Sequence, residues 1–509
     1  MTLSKDHYLV SRQGTFDTSG SPHATTQADL DHLFATLAGD KNRDRLVLHF
    51  HGGLVDFVSG MMAAEDITKR YADVPAYEIF FLWQTALFDV LSEKTFLDAI
   101  CPNISQVFND PFFQQVLLRV TQFVKGKVDA TNGGAIDRWL DLPDKQEVLQ
   151  ELRNPSDGQE PYSDIDSTAL PEDTRLHKHE EKVFRDHLMH NDPILKQYAQ
   201  TLVMKHVPTA LKGKSTDDTT QVTTTTPPFS LALIEHFLTE IRDVALKDIE
   251  NVANFFIIGR CITVLKNVID RFAHRRDHGL YPTIVEEILR QFFIGKIGKE
   301  VWDGIKKEAH DTFGAASADA GTAFLHGLKT HCENNPNTHI TLVGHSAGSI
   351  YICEFLQHTH AILPKNVTFD VILLAPANSY KLFSDTLKTY QSRIQAVRIF
   401  AMSDDLEQKD ALIPGIYPLS LLYLVSGILE EEADTPILGM QRYFTDKTPY
   451  TIPEVQTTFT YLNKYQSSHI WSLSTAGDGL SSDAKSHSTF YSEEVTMKSV
   501  KYAIEHGMH

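Results

Sequence analysis

The sequence predicts an α/β protein, a three-layer arrangement of a mostly parallel sheet between helices, with a large helical insertion. Three observations lead there. Short runs rich in β-branched and aromatic residues alternate with segments of helical period before residue 88 and again after residue 319. The first two long strand runs, 45–50 and 77–83, are separated by a single helix-length segment, which makes a βαβ unit and therefore parallel pairing. From 89 to 318 the apolar spacing turns helical, broken by polar stretches, with no series of strands. The expected division is 1–88 and 319–509 for two parts of one core, with 89–318 as a cap or lid.

Composition narrows the class. The chain is 42% hydrophobic and 22% charged, ordinary values for a globular protein. With 47 basic and 66 acidic residues its formal charge is −19, which disfavours nucleic acid or an anionic membrane as partner. The amino terminus has no basic segment followed by an apolar run, and no apolar stretch is long enough to span a bilayer. The expectation is a cytoplasmic protein without an integral membrane segment. Cys101, Cys261, Cys332 and Cys353 lie far apart in apolar or helical surroundings and read as reduced core thiols.

In chain order, a short strand is expected near 7–10, a helix over 27–38 and a strand over 45–50, running directly into His51-Gly52-Gly53-Leu54. Two glycines after a central strand let the backbone turn sharply and present N–H groups to a bound atom. His49 and His51 share a strand face, but no third ligand follows, so no metal is expected. A helix over 58–71 and the strand 77–83 complete the βαβ unit, with Trp83 read as a core residue.

The insertion carries expected helices over 177–206, 229–250, 251–275, 283–294 and 298–313, with polar irregular stretches at 154–174 and 212–228. Placed between two strands of a sheet, it is expected to sit over the strand ends, where a cap can shape or gate a pocket. His177, His179, His187 and His190 cluster in sequence. On a helix, His179 and His187 stand about 12 Å apart along the axis with Val183 between them, so a solvated face is expected. Arg260 interrupts the apolar run 255–258 and with it any membrane reading.

After a helix over 320–333 comes the most informative stretch. A β-branched run containing Ile340, Thr341 and Val343 is followed by Gly344-His345-Ser346-Ala347-Gly348, and then by Ile350, Phe355 and Leu356 at helical intervals. A serine at a strand-to-helix junction is held in a strained turn, and small residues two positions to either side let strand and helix crowd together. The new helix brings free N–H groups and its positive dipole end to the same place. Those are the needs of an attacking alkoxide and a developing oxyanion.

Strand and helix then keep alternating: a strand over 369–376, a helix over 379–391 and a strand over 396–402. Asp404 and Asp405 lie two and three residues beyond that strand, where an acid can orient a catalytic histidine; Asp410 is held in reserve. Sequence does not choose between Asp404 and Asp405. An apolar helix over 419–431, a last strand over 469–474, a small-residue loop and a final helix over 492–506 close the chain. Of the 24 histidines, His487 stands in the loop between the last strand and last helix, where a general base belongs.

With the elbow at Gly344 to Gly348, the His51-Gly52-Gly53 turn, an acid after Met402 and His487 in that order, the chain resembles the α/β-hydrolase superfamily on its lipase and esterase side. The resemblance covers 45–88 and 320–509. It implies the α/β-hydrolase fold, acyl-enzyme chemistry and no cofactor. Ser346 would be the nucleophile, His487 the base, and Asp404 or Asp405 the acid. The N–H of Ala347 and of Gly52, Gly53 or Leu54 would form the oxyanion hole. The expected activity is hydrolysis of a small-molecule ester or lipid, falling as pH drops through roughly 6 to 7. The alternatives are a phospholipase or long-chain lipid hydrolase grooved by the insertion, and an idle scaffold that binds a ligand or partner.

Overall fold

The computed structural model describes residues 3–18, 21–52, 57–84, 110–131, 170–211, 231–242, 248–292, 297–314, 319–464 and 468–508. The strands of the main sheet are β1 (Tyr8–Arg12), β2 (Thr15–Phe16), β3 (Arg45–Phe50), β4 (Tyr77–Gln84), β5 (His339–His345), β6 (Phe369–Leu374), β7 (Ile394–Met402) and β8 (His469–Ser472). They form one eight-stranded sheet in the order β2-β1-β4-β3-β5-β6-β7-β8. Every pairing is parallel except that of the two-residue β2 with β1.

The helices before the insertion are α1 (Gln27–Gly39) and α2 (Phe57–Arg70). The insertion contributes α3 (Pro111–Thr131), α4 (Lys178–Asn191), α5 (Pro193–Leu211), α6 (Leu231–Glu240), α7 (Ile249–Ala273), α8 (Leu280–Phe292) and α9 (Ile297–Thr312). After it come α10 (Ala320–Asn334), α11 (Gly348–Ile362), α12 (Tyr380–Tyr390), α13 (Pro453–Leu462) and α14 (Glu494–His506).

Alternation along the strands sorts the core into two layers, because successive side chains point to opposite faces. Leu46, Leu48 and Phe50 of β3 and Ile79, Phe81 and Trp83 of β4 pack with Leu33 of α1, Phe324 of α10, Phe355 of α11 and Phe383 of α12. Val47, Phe80, Leu82, Val343 and Ile372 pack on the other face with Met61 and Ile67 of α2 and Val500 of α14. Each such side chain removed from water contributes roughly 1.5 to 3 kcal/mol.

The order places the site. From β3 the chain crosses to β4 on one side, whereas β5 lies on the other side of β3 and continues to β6. Such a reversal opens a crevice beyond the carboxyl ends of the two strands. In register, Phe50 stands beside Gly344, so His51-Gly52 and His345-Ser346 leave the sheet next to each other.

The described helices of the insertion pack against the core. Helices α8 and α9 pack on a helical segment, Val425–Leu429, and α9 also packs on α11. Residues of α7, α8 and α9 share one continuous core with the α11 face of the sheet. The expected single helix over 177–206 is two, because Pro193 lacks an N–H and Asp192 restarts the helix, its carboxylate accepting the Leu195 N–H at 3.3 Å. α7 is long and apolar enough to cross a membrane by length and composition, but over half of that stretch is buried inside the protein. Cys261, Cys332 and Cys353 are free and buried, as expected. Cys101, the 212–228 stretch and most of 154–174 lie outside the described residues.

Candidate active site

Ser346 takes the strained conformation its neighbours allow, with φ at +52°. Its N–H donates to the Leu374 carbonyl at 3.0 Å, and its own carbonyl accepts the Ala377 N–H at 3.0 Å and the Ser349 hydroxyl at 2.6 Å. Both glycines are demanded by contact rather than by φ. A Cβ at Gly348 would lie 2.1 Å from the Phe50 carbonyl oxygen, and one at Gly344 would lie 2.7 Å from Ile352 Cδ1. The turn therefore works only with strand β3 and helix α11 in near contact. Ala347 caps α11, where the first N–H groups of a helix have no acceptor within it.

On β3, the described backbone ends at Gly52; Gly53 and Leu54 lie outside the described residues. His51 is a pin. Its Nδ1–H donates to the Gly52 carbonyl at 2.6 Å, its Nε2 accepts the Trp83 N–H at 3.1 Å, and its ring stacks on Trp83 at 3.8 Å. Burial lowers its pKa to about 4, so it stays neutral and joins the ends of β3 and β4. Trp83 is sandwiched between His51 and Tyr351, in the core as expected. His49 points the other way, stacked on Phe80 at 4.9 Å. Among the described residues no group of three or more His, Cys, Asp or Glu side chains is arranged to hold a metal ion.

His487 is held by its backbone from two sides. Its N–H donates to Asp410 Oδ2 at 2.9 Å, and its carbonyl accepts from Nε2–H of His345 at 3.0 Å. The His345 and His487 rings lie 5.1 Å apart, and both nitrogens of His487 are buried without a hydrogen-bond partner in the structure. Burial, and then the neighbouring His345, hold the His487 pKa well below the ordinary histidine value. Burial likewise lowers His345 to about 4, partly opposed by its bond to His487. Both imidazoles are therefore neutral near pH 7.

The two expected acids are engaged elsewhere. Asp404 accepts the Tyr423 hydroxyl at 2.7 Å and the Gln408 amide at 2.8 Å, while Asp405 is exposed and paired with Lys409 at 2.7 Å. Neither meets His487; Asp410 does, at the backbone N–H rather than the imidazole. The expectation assumed an extended exit from β7. Instead the chain enters a helical turn, Asp404–Glu407, which advances only about 1.5 Å per residue, and it takes the chain until Asp410 to reach His487. Burial raises the Asp410 pKa, and the His487 N–H opposes that rise.

Ser346, His487, His345 and Gly52 line one cavity of about 330 Å³, together with Gly60 of α2 and Tyr491. The Tyr491 ring lies against His345 with centroids 4.7 Å apart and the planes tilted by 57°, and its hydroxyl donates to the Phe50 carbonyl at 3.2 Å. The described residues lining the cavity all lie outside 89–318. A larger cavity of about 560 Å³ lies elsewhere, and its arginines are engaged in structure. Arg271 pairs with Glu287 at 3.2 Å, and Arg290 donates to the carbonyls of Gly427, Ile428 and Glu430.

Sequence reasoning placed His345 in the elbow but missed Tyr491 and Gly60 as parts of this site. Comparison with protein-family models, with curated proteins and with solved structures finds no match to this chain.

Proposed function

We propose that the chain is a serine hydrolase of the α/β-hydrolase type that cleaves carboxylic esters through an acyl-enzyme. The observation that carries this reading is the meeting of Ser346, strained at a strand-to-helix turn, and His487, buried and neutral, on the wall of one small cavity. Asp410 takes the place of the acid that Asp404 or Asp405 was expected to fill.

In this reading Ser346 Oγ attacks the acyl carbonyl while His487 accepts its proton. Asp410 holds the histidine loop in place and stabilises the imidazolium. The oxyanion receives the Ala347 N–H and a second donor from the 52–54 turn, each such donor being worth about 3 kcal/mol in the transition state. The C–O bond then breaks, and His487 returns the proton to the departing alkoxide. Water repeats the sequence on the acyl-enzyme, leaving a carboxylic acid and free Ser346. No step calls for a metal or cofactor. The substrate is a small-molecule ester or lipid whose reacting end fits a cavity near the lower limit of ligand sites, roughly 300 Å³.

A second reading is a scaffold that binds a ligand without turning it over, and the unpartnered ring nitrogens of His487 favour it. Hydrolysis of short p-nitrophenyl esters separates the two. Wild type should turn over and Ser346→Ala should fall to background with an unchanged thermal transition. Equal background rates in both folded proteins would leave only the scaffold.

A further inference from the structure

We infer that Gly60 sets how long an acyl chain the cavity accepts, an inference that rests on the serine-hydrolase reading above. Gly60 lies within α2 and lines the cavity. Glycine is among the poorest helix residues, so its presence there needs a reason. Conformation supplies none, since its φ is not in the left-handed range. Packing supplies none either: the nearest atoms a Cβ at Gly60 would meet belong to the His51 ring, at 3.5 to 3.7 Å, an ordinary van der Waals contact. This contrasts with Gly348, where a Cβ would run into backbone. What a side chain at position 60 would take away is cavity volume.

The side of the cavity identifies the group that fills it. Gly60 faces His51, on the β3 side of Ser346. The leaving alcohol must lie within reach of His487, whose loop lies against His345 and lines the cavity with Ser488 and Ser492, apart from the stretch that Gly60 and Ala63 of α2 line. The substituent that extends toward α2 is therefore the acyl chain. Ala63, one turn further along α2, lines the same wall and keeps it low.

The test compares kcat/KM for p-nitrophenyl acetate, butyrate, hexanoate and octanoate in wild type, Gly60→Ala and Gly60→Leu. A parallel series keeps acetate as the acyl group and varies the alcohol. Each buried methylene that no longer fits should cost about fourfold. The octanoate-to-acetate ratio should therefore fall about fourfold in Gly60→Ala and more than about tenfold in Gly60→Leu, with the alcohol series moving little. Gly60→Ala should melt at or above the wild-type temperature, which separates a filled cavity from a damaged fold. A ratio unchanged in both variants, a loss equal at every acyl length, or a loss that tracks the alcohol would overturn the inference while leaving the hydrolase reading intact. Absence of hydrolysis of every ester by folded wild type would remove both.

Discussion

Gly348→Ala tests the elbow most sharply. Its added methyl would lie 2.1 Å from the Phe50 carbonyl oxygen, 2.8 Å from the Phe50 carbonyl carbon and 2.9 Å from the His51 carbonyl oxygen. All three are backbone atoms of β3 and the turn after it, so no rotamer change relieves them. Reaching the 3.4 Å of an ordinary contact requires α11 and the end of β3 to separate by more than an ångström. Overpacking of this kind costs about 1 to 3 kcal/mol of stability. A displacement of about 1 Å between nucleophile and oxyanion donors costs roughly 100-fold in rate. Gly344→Ala is the internal control: its closest neighbour is the flexible end of Ile352, at 2.7 Å, and the Gly348 backbone stays 3.0 Å away. Thermal melting and the rate of covalent labelling by a fluorophosphonate should both rank wild type above Gly344→Ala above Gly348→Ala. A Gly348→Ala protein with wild-type melting and labelling would refute the close approach of β3 and α11.

Three further outcomes follow from the same geometry. Asp410→Ala, which removes the acceptor of the His487 N–H, should lower kcat more than Asp404→Asn or Asp405→Asn, which should stay within a few-fold of wild type; the reverse ranking would return the acid to Asp404 or Asp405. Because His487 must be neutral to act and burial lowers its pKa, the acid limb of kcat/KM should lie below the ordinary histidine value of about 6.5, with activity full above the limb and lost below it; a midpoint at or above 6.5 contradicts the burial of the base. Stability should fall with acid. His49 and His469 are lowered to about 3, and His51 and His345 to about 4, so the stability they contribute is full above the unfolded value near 6.5 and declines below it. Glu78 and Glu308, raised to about 7, act in the opposite sense, stabilising below about 4.5 and losing that contribution as pH rises. The four histidines outnumber the two acids, so denaturant midpoints measured from pH 6.5 down to 5 should drop, by on the order of 1.4 kcal/mol per pH unit for each net proton.

Much of the sheet and the nucleophile turn was legible because both depend on local rules. Alternation marks β3 and β4, and the crowding of Gly344 and Gly348 follows from residues adjacent in sequence. The placement of His487 beside the elbow was legible too, since the chain order of strands and loops carries it there. The approach of Asp410 to the His487 backbone was not, because two or three residues past a strand mean one thing in an extended chain and another in the helical turn at Asp404–Glu407. Nor was the packing of the described insertion helices against the core. It is set by contacts between residues more than a hundred positions apart, such as the Trp302 indole N–H on Glu430 at 2.7 Å and Arg290 on the carbonyls that end the Val425–Leu429 segment. No periodicity encodes such pairs. The partners of His345 were hidden for the same reason, and Gly60 looked like any helical glycine until its open surroundings were seen.

The central claim is that Ser346 is an activated nucleophile served by His487. Intact-mass analysis after a fluorophosphonate probe, on wild type, Ser346→Ala and His487→Ala, tests it directly. The account predicts one adduct per chain on wild type, none on Ser346→Ala, and labelling slowed by at least about 100-fold on His487→Ala, the usual contribution of a general base. An adduct that persists on Ser346→Ala, or none on folded wild type, would contradict it.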